Sequence, residues 1–234
     1  MRSIADQTED ELGGGISVLV RQKRDHVMLD GLLQELDGST GVAQQQVLRR
    51  INRLVFPHAF AEESVLWPVM RRVLPDGEAL TLEIEREHQE VNELVTRLER
   101  LRHGDPERDA VIRRLIEVLR EDVRDEEDVL FPRLQEALDA PALRRLGWQW
   151  EVARQVSPTR PHPTVSRRPP GNAASGLPMS ALDRGRVVLD AVAERAPGRL
   201  GPAAQTASRG LAAAAGWVER VPLARRGDRP PTSR

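Results

Sequence analysis

Apolar positions over the first 140 or so residues recur at steps of three, four and seven, the spacing that lines one face of an α-helix. Leu19, His26, Leu29, Leu33 and Leu36 form the first stripe, opening after Gly13-Gly14-Gly15 and closing at Asp37-Gly38. Ser39-Thr40-Gly41 makes a turn, and Leu48, Ile51, Val55, His58, Glu62, Val65 and Val69 then share a face. Pro75-Asp76-Gly77 is the next turn signal. A third stripe carries His88, Val91, Val95, Leu98 and Leu101. Asp105-Pro106-Glu107 reads as a helix start, with a capping carboxylate, a proline that has no N–H to waste and an acid in the first turn. Ile112, Leu115, Leu119, Asp122, Glu126 and Val129 continue that helix toward Leu138. Four amphipathic helices joined by short turns predict an all-α fold, an antiparallel up-down-up-down four-helix bundle.

The pattern also repeats. Glu62-Glu63-Ser64-Val65-Leu66-Trp67-Pro68 returns 64 residues later as Glu126-Glu127-Asp128-Val129-Leu130-Phe131-Pro132. Arg24-Asp25-His26 returns 62 residues later as Arg86-Glu87-His88. A duplicated helical hairpin explains both echoes, with each half bringing a histidine and a carboxylate to a shared centre. Pro68 and Pro132 fall late in their helices, where each removes a hydrogen bond and is expected to kink or end the helix.

Six polar residues stand on the otherwise apolar seams: His26, His58, Glu62, His88, Asp122 and Glu126. His58 and Glu62 lie one turn apart and point the same way, as do Asp122 and Glu126. Ionised carboxylates buried without a cation cost several kcal/mol each, by order of magnitude. No lysine stands on the seams, because the single lysine of the chain, Lys23, precedes His26. A metal pair is the compact solution, and this donor set suits iron or manganese ahead of zinc. Glu63 and Glu127, about 100° around the helix from their neighbours, are expected beside the ligands or on the helix surface.

Composition adds limits. The chain has 234 residues with no cysteine and no tyrosine, so thiolate sites, disulfides and phenolate ligands are excluded. No apolar run is long enough to span a bilayer, and Met1 to Glu11 has no secretory character, so a cytoplasmic location is expected. Charge divides at Arg154: the residues before it carry a net −10, and those from it onward +9 with 11 of the 17 prolines. This division predicts a flexible segment over residues 1–15, the bundle over 16–153 and a basic Pro/Arg/Ala-rich extension over 154–234. The extension is expected to be largely disordered, holding short helices around Leu182–Val192 and Leu211–Val221. Its arginines are not interleaved with aromatics that could stack on bases, which argues against nucleic acid; the expectation is a solvated extension that folds back onto the acidic body, with a protein partner as the other reading.

The order His26, His58-x-x-x-Glu62, His88 and Glu126 followed by Leu-aromatic-Pro resembles the hemerythrin-like, or HHE cation-binding, domain, over about residues 16–140. The resemblance implies a non-haem di-iron centre in which His26 and His58 ligate one iron, His88 serves the other, and Glu62 and Glu126 bridge them. Asp122 stands where the family usually has a fifth histidine. An anionic ligand there favours the ferric state and shifts the expectation from reversible oxygen carriage toward oxygen activation or iron oxidation. The leading expectation is a module that binds or senses dioxygen, nitric oxide, peroxide or iron supply. An oxidase, peroxidase or ferroxidase is the alternative, and a metal-free structural bundle the third.

Overall fold

The computed structural model describes residues 1–102, 104–162, 164–195 and 200–226. Among these residues the secondary structure is helical, with no strand. Helix α1 spans Val18–Asp37, where the Ser17 hydroxyl accepts from the Leu19 N–H to cap its first turn. Gly41, at φ +59°, turns the chain into α2, Gly41–Ala61, by a left-handed conformation that costs glycine little. Helix α3, Trp67–Val73, leads through the predicted Pro75-Asp76-Gly77 turn to α4, Gly77–Arg100. Helix α5, Arg108–Asp125, begins just after the predicted Asp105-Pro106-Glu107 start, with the Asp105 carboxylate accepting from the Glu107 N–H.

The two prolines do not end their helices. Each is preceded by one wide π turn, Glu62–Leu66 and Glu126–Leu130, and the chain continues helically as α3 and as α6, Phe131–Ala137. The Trp67 N–H reaches back to the Glu62 carbonyl and the Phe131 N–H to that of Glu126, five residues each. Such a turn absorbs one extra residue and rotates everything after it. The apolar stripe therefore slips: Val129 is 44% exposed, while Leu130 and Phe131 take the interior at 2% and 0%. In the first repeat Leu66 and Trp67 are buried in the same way, and Val65 is only half-buried. Counting at about 3.6 residues per turn could not show this shift.

Two apolar cores result. One joins α1, α2, α4 and α5 through residues such as Leu33, Ile51, Val95 and Leu115. The other gathers Leu19, Leu66, Trp67, Ile84, Leu130 and Phe131 with Ile4, Leu12 and the inner face of α7, Ala140–Gln155. Residues 1–15, read from the sequence as flexible, thus close the end of the helical stack, with Ile4 and Leu12 fully buried. Lys23 donates to the carbonyls of Ala5 (2.6 Å) and Gln7 (2.7 Å), which ties that segment to α1. Gly147 lets α7 lie against the start of α1, since a Cβ there would collide with the Ile16 carbonyl.

The extension is also more ordered than its composition predicts. Residues 171–195 form α8, Gly171–Arg195, and residues 200–218 form α9, Leu200–Val218, and the two helices pack on one another. The segment before them is held to α4, where Arg168 meets Glu85 at 2.8 Å and Glu78 at 2.7 Å. His162 sits between Asp183 (3.2 Å) and Glu219 (2.9 Å) and clasps α8 to the end of α9. Burial opposes its charge, but the two carboxylates outweigh burial and push it up to about 9. A count of large apolar residues misses this mode of docking, which runs on buried ion pairs and on small residues that let helices approach closely. Among the described residues no helix is long and apolar enough to cross a membrane.

Candidate metal centre

All six seam residues converge on a polar layer between the two apolar cores. Glu62 and Glu126 are fully buried, and His26, His58, His88 and Asp122 are 9% exposed or less. Their inner atoms face one another. His26 Nε2 lies 3.2 Å from Glu126 Oε2 and His58 Nε2 lies 3.1 Å from Glu62 Oε1. His88 Nε2 is 3.6 Å from both Glu62 Oε2 and Asp122 Oδ1. Glu62 therefore offers one oxygen to each side. Two sets of potential metal ligands emerge: His26 with His58 and Glu126, and His88 with Glu62 and Glu126. Glu126 belongs to both, and Asp122 lies beside the second set without belonging to it.

The outer face of each imidazole is held by a carboxylate. His26 Nδ1 donates to Glu127 at 2.9 Å, and His88 Nδ1 donates to Glu63 at 2.9 Å. The two halves of the repeat exchange partners, since each histidine is fixed by the glutamate motif of the other half. The motif's aromatic completes the exchange: Phe131 stacks on His26 at 6.2 Å and Trp67 on His88 at 6.4 Å. His58 Nδ1 donates to Asp25 at 3.2 Å, and Trp150 from α7 meets its ring edge-on at 5.5 Å. Despite its burial, Asp25 stays below the usual carboxylate range because His58 and Arg154 face it. Sequence reading placed Glu63 and Glu127 at the margin of the site and overlooked Asp25, although Asp25 adjoins His26 in the repeated Arg-acid-His block. Carboxylates of this kind fix the tautomer and raise the basicity of a ligating imidazole, and their loss typically costs about 10–100-fold in metal affinity. Glu127→Ala, Glu63→Ala and Asp25→Ala are each expected to weaken metal binding within that range while leaving the helical content unchanged. Competition titration against a chelator and circular dichroism check the two halves of this prediction.

The repeat breaks at Asp122. Where the first half pairs His58 with Asp25, the second sets the carboxyl of Asp122 near that of Glu87. Burial, and then the charge of Asp125, push Glu87 up to about 7. Burial raises Asp122 well above the usual range too, with only His88 pulling against it among its main neighbours. Burial and the neighbouring Glu62 raise Glu126, whereas the histidines outweigh burial at Glu62 and lower it. Burial works against charge on the imidazoles, yet their carboxylates win. His26 rises to about 9, His88 to about 10 and His58 well above its ordinary value.

This donor chemistry fits a metal. The His26 Nε2, both oxygens of Glu62, both of Glu126 and Asp122 Oδ1 are buried without a hydrogen-bond partner. Orphaned groups at that density are costly in a protein interior unless a cation satisfies them.

A family model for the hemerythrin HHE cation binding domain matches residues 18–134. An uncharacterized hemerythrin-like protein of Schizosaccharomyces pombe is 23% identical over 134 residues, which cover 57% of this chain and 66% of that protein. A DNA nickase of a Nostoc strain is 26% identical over 153 residues, covering 65% of this chain and 42% of the nickase. The chain spans less than two thirds of the length of either relative. No solved structure gives a significant match.

Proposed function

This chain belongs to the hemerythrin HHE cation-binding family, and from that membership we propose that it holds two non-haem iron ions and uses them to bind or sense dioxygen, nitric oxide, peroxide or iron supply. One observation carries the reading: the unpartnered nitrogen and oxygen atoms of His26, Glu62, Asp122 and Glu126 point into one buried layer. His26, His58 and Glu126 would hold one ion, and His88, Glu62 and the shared Glu126 the other, with Asp122 beside the second. An antiparallel up-down-up-down order of α1, α2, α4 and α5 is the arrangement by which four helices bring such residues to one level.

Iron, once bound, would supply the redox chemistry. The chain's own residues do the rest. Asp25, Glu63 and Glu127 orient the imidazoles through Nδ1, leaving Nε2 for the metal. Trp67 and Phe131, both fully buried, cover the rings of His88 and His26 and keep bulk water from that side. A second reading, an enzyme of oxidase, peroxidase or ferroxidase type, is favoured by Asp122, which makes the centre richer in carboxylate than a histidine at that position would. Steady consumption of peroxide or ferrous iron by the loaded protein, as opposed to saturable binding, would support it.

Anaerobic titration with ferrous iron followed by metal analysis tests the leading reading. Saturation is expected at about two ions per chain, as di-iron bundle sites require, with His58→Ala retaining about half the metal. A wild-type chain that takes up no iron overturns the proposal.

A further inference from the structure

The matched family span ends at residue 134, yet a side chain from far beyond it reaches the centre. Arg167, buried in the segment that precedes α8, donates from Nη1 to Glu63 Oε1 at 3.1 Å. The same Glu63 oxygen accepts from His88 Nδ1 at 2.9 Å. Nη2 of Arg167 donates to the His88 carbonyl at 3.3 Å and to Gln89 Oε1 at 3.0 Å. The guanidinium thus grips both the carboxylate that orients His88 and the backbone that carries it. His26 has no such arginine: its outer carboxylate, Glu127, receives none of the arginine hydrogen bonds among the described residues.

We propose that Arg167 is a positioning residue of the C-terminal extension that sets the reduction potential of the metal held by His88. The inference rests on the iron reading above. A carboxylate behind an imidazole pushes electron density toward the metal and favours its oxidised state. A guanidinium on that carboxylate shares the negative charge and weakens the push. Its own positive charge, buried where screening by solvent is weak, also disfavours the more positive oxidised metal. Both effects raise the potential on the His88 side, and both are weaker on the His26 side, which lies farther from Arg167 and whose outer carboxylate Glu127 binds no arginine among the described residues. The two halves already differ at Asp122, and the extension adds a second inequality on the His88 side.

The test is a redox titration of the full-length, iron-loaded chain with four substitutions. Arg167→Ala is expected to lower the midpoint potential of one iron so that its reduced-to-oxidised ratio at a fixed applied potential falls about tenfold, or about 59 mV for one electron. Arg167→Lys, which returns the charge, recovers most of that shift. Arg167→Gln keeps an amide donor for Glu63 without the charge, behaves like the alanine variant and serves in its place should that one fail to fold. Arg168→Ala is the control for docking, because Arg168 binds Glu85 and Glu78 and touches none of the seam residues. It leaves the potential at the wild-type value. An unshifted potential in the folded Arg167→Ala and Arg167→Gln variants overturns the proposal, as does an Arg168→Ala shift equal to that of Arg167→Ala. Those results leave the iron reading standing, whereas a wild-type chain that binds no iron removes both.

Discussion

Replacing Glu126 with glutamine is expected to strip metal from both halves of the centre at once. Glu126 is the one side chain common to both ligand sets, and its two oxygens are buried without other partners. Glutamine keeps the shape but removes the charge and turns one oxygen into a donor amide, which cannot ligate a cation beside His26. Metal content is expected to fall below about a tenth of wild type, a larger loss than the roughly 10–100-fold weakening expected at the outer carboxylates, and one that excess metal does not restore. The same substitution has the opposite effect on the metal-free fold. Burial and the charge of Glu62 raise Glu126 above its ordinary range, so its ionised form opposes folding. Metal-free Glu126→Gln should therefore melt at or above metal-free wild type. Metal analysis and thermal melts in chelator check the pair of results, and a variant that keeps its metal would show that Glu126 is no ligand.

Removing the metal from wild type is expected to lower the melting temperature, by a gap that widens as pH rises. At a metal concentration about a thousandfold above Kd the gain is about 4 kcal/mol, which for a chain of this size is on the order of 10 °C. The pH dependence follows from protons. In the metal-free fold His26 and His88 hold their protons up to about 9 and about 10, against 6.5 ordinarily. The folded state then binds more protons than the unfolded one above that ordinary value, so stability is fully present below it and lost as pH climbs through the folded values. Raised Asp122 and Glu126 act in the same direction, since fold stability declines as pH climbs from their ordinary values to their raised ones. Metal must displace the same protons from the imidazoles, so its affinity grows over that range. Melts from mildly acidic to mildly alkaline pH, with metal and with chelator, should diverge. Parallel curves would mean that the imidazoles titrate alike in the folded and unfolded chains.

The amino-acid sequence by itself determined the helices and the polar positions on their seams. Stripes at helical spacing mark where α1, α2, α4 and α5 must bury a face, and polar residues set on those stripes are conspicuous because an apolar seam tolerates few of them. His26, His58, Glu62, His88, Asp122 and Glu126 were all legible on that ground, and the structure brings all six to one buried layer. Position around a helix is a local property, so a linear pattern carries it. Only the tertiary structure decided who stands behind whom. Asp25 reaches His58 in another helix, Glu63 and Glu127 cross to the opposite half of the repeat, and Arg167 arrives from 104 residues beyond Glu63. The π turns belong to the same class, because a one-residue slip at Glu62 and Glu126 is settled by which aromatic can cover which imidazole. So does the docking of residues 1–15 and of the extension: short apolar segments and arginine-rich stretches look solvated in one dimension, and become buried only where the folded body offers an open core end or a buried carboxylate. Those contacts join residues far apart in the chain, and no periodicity records them.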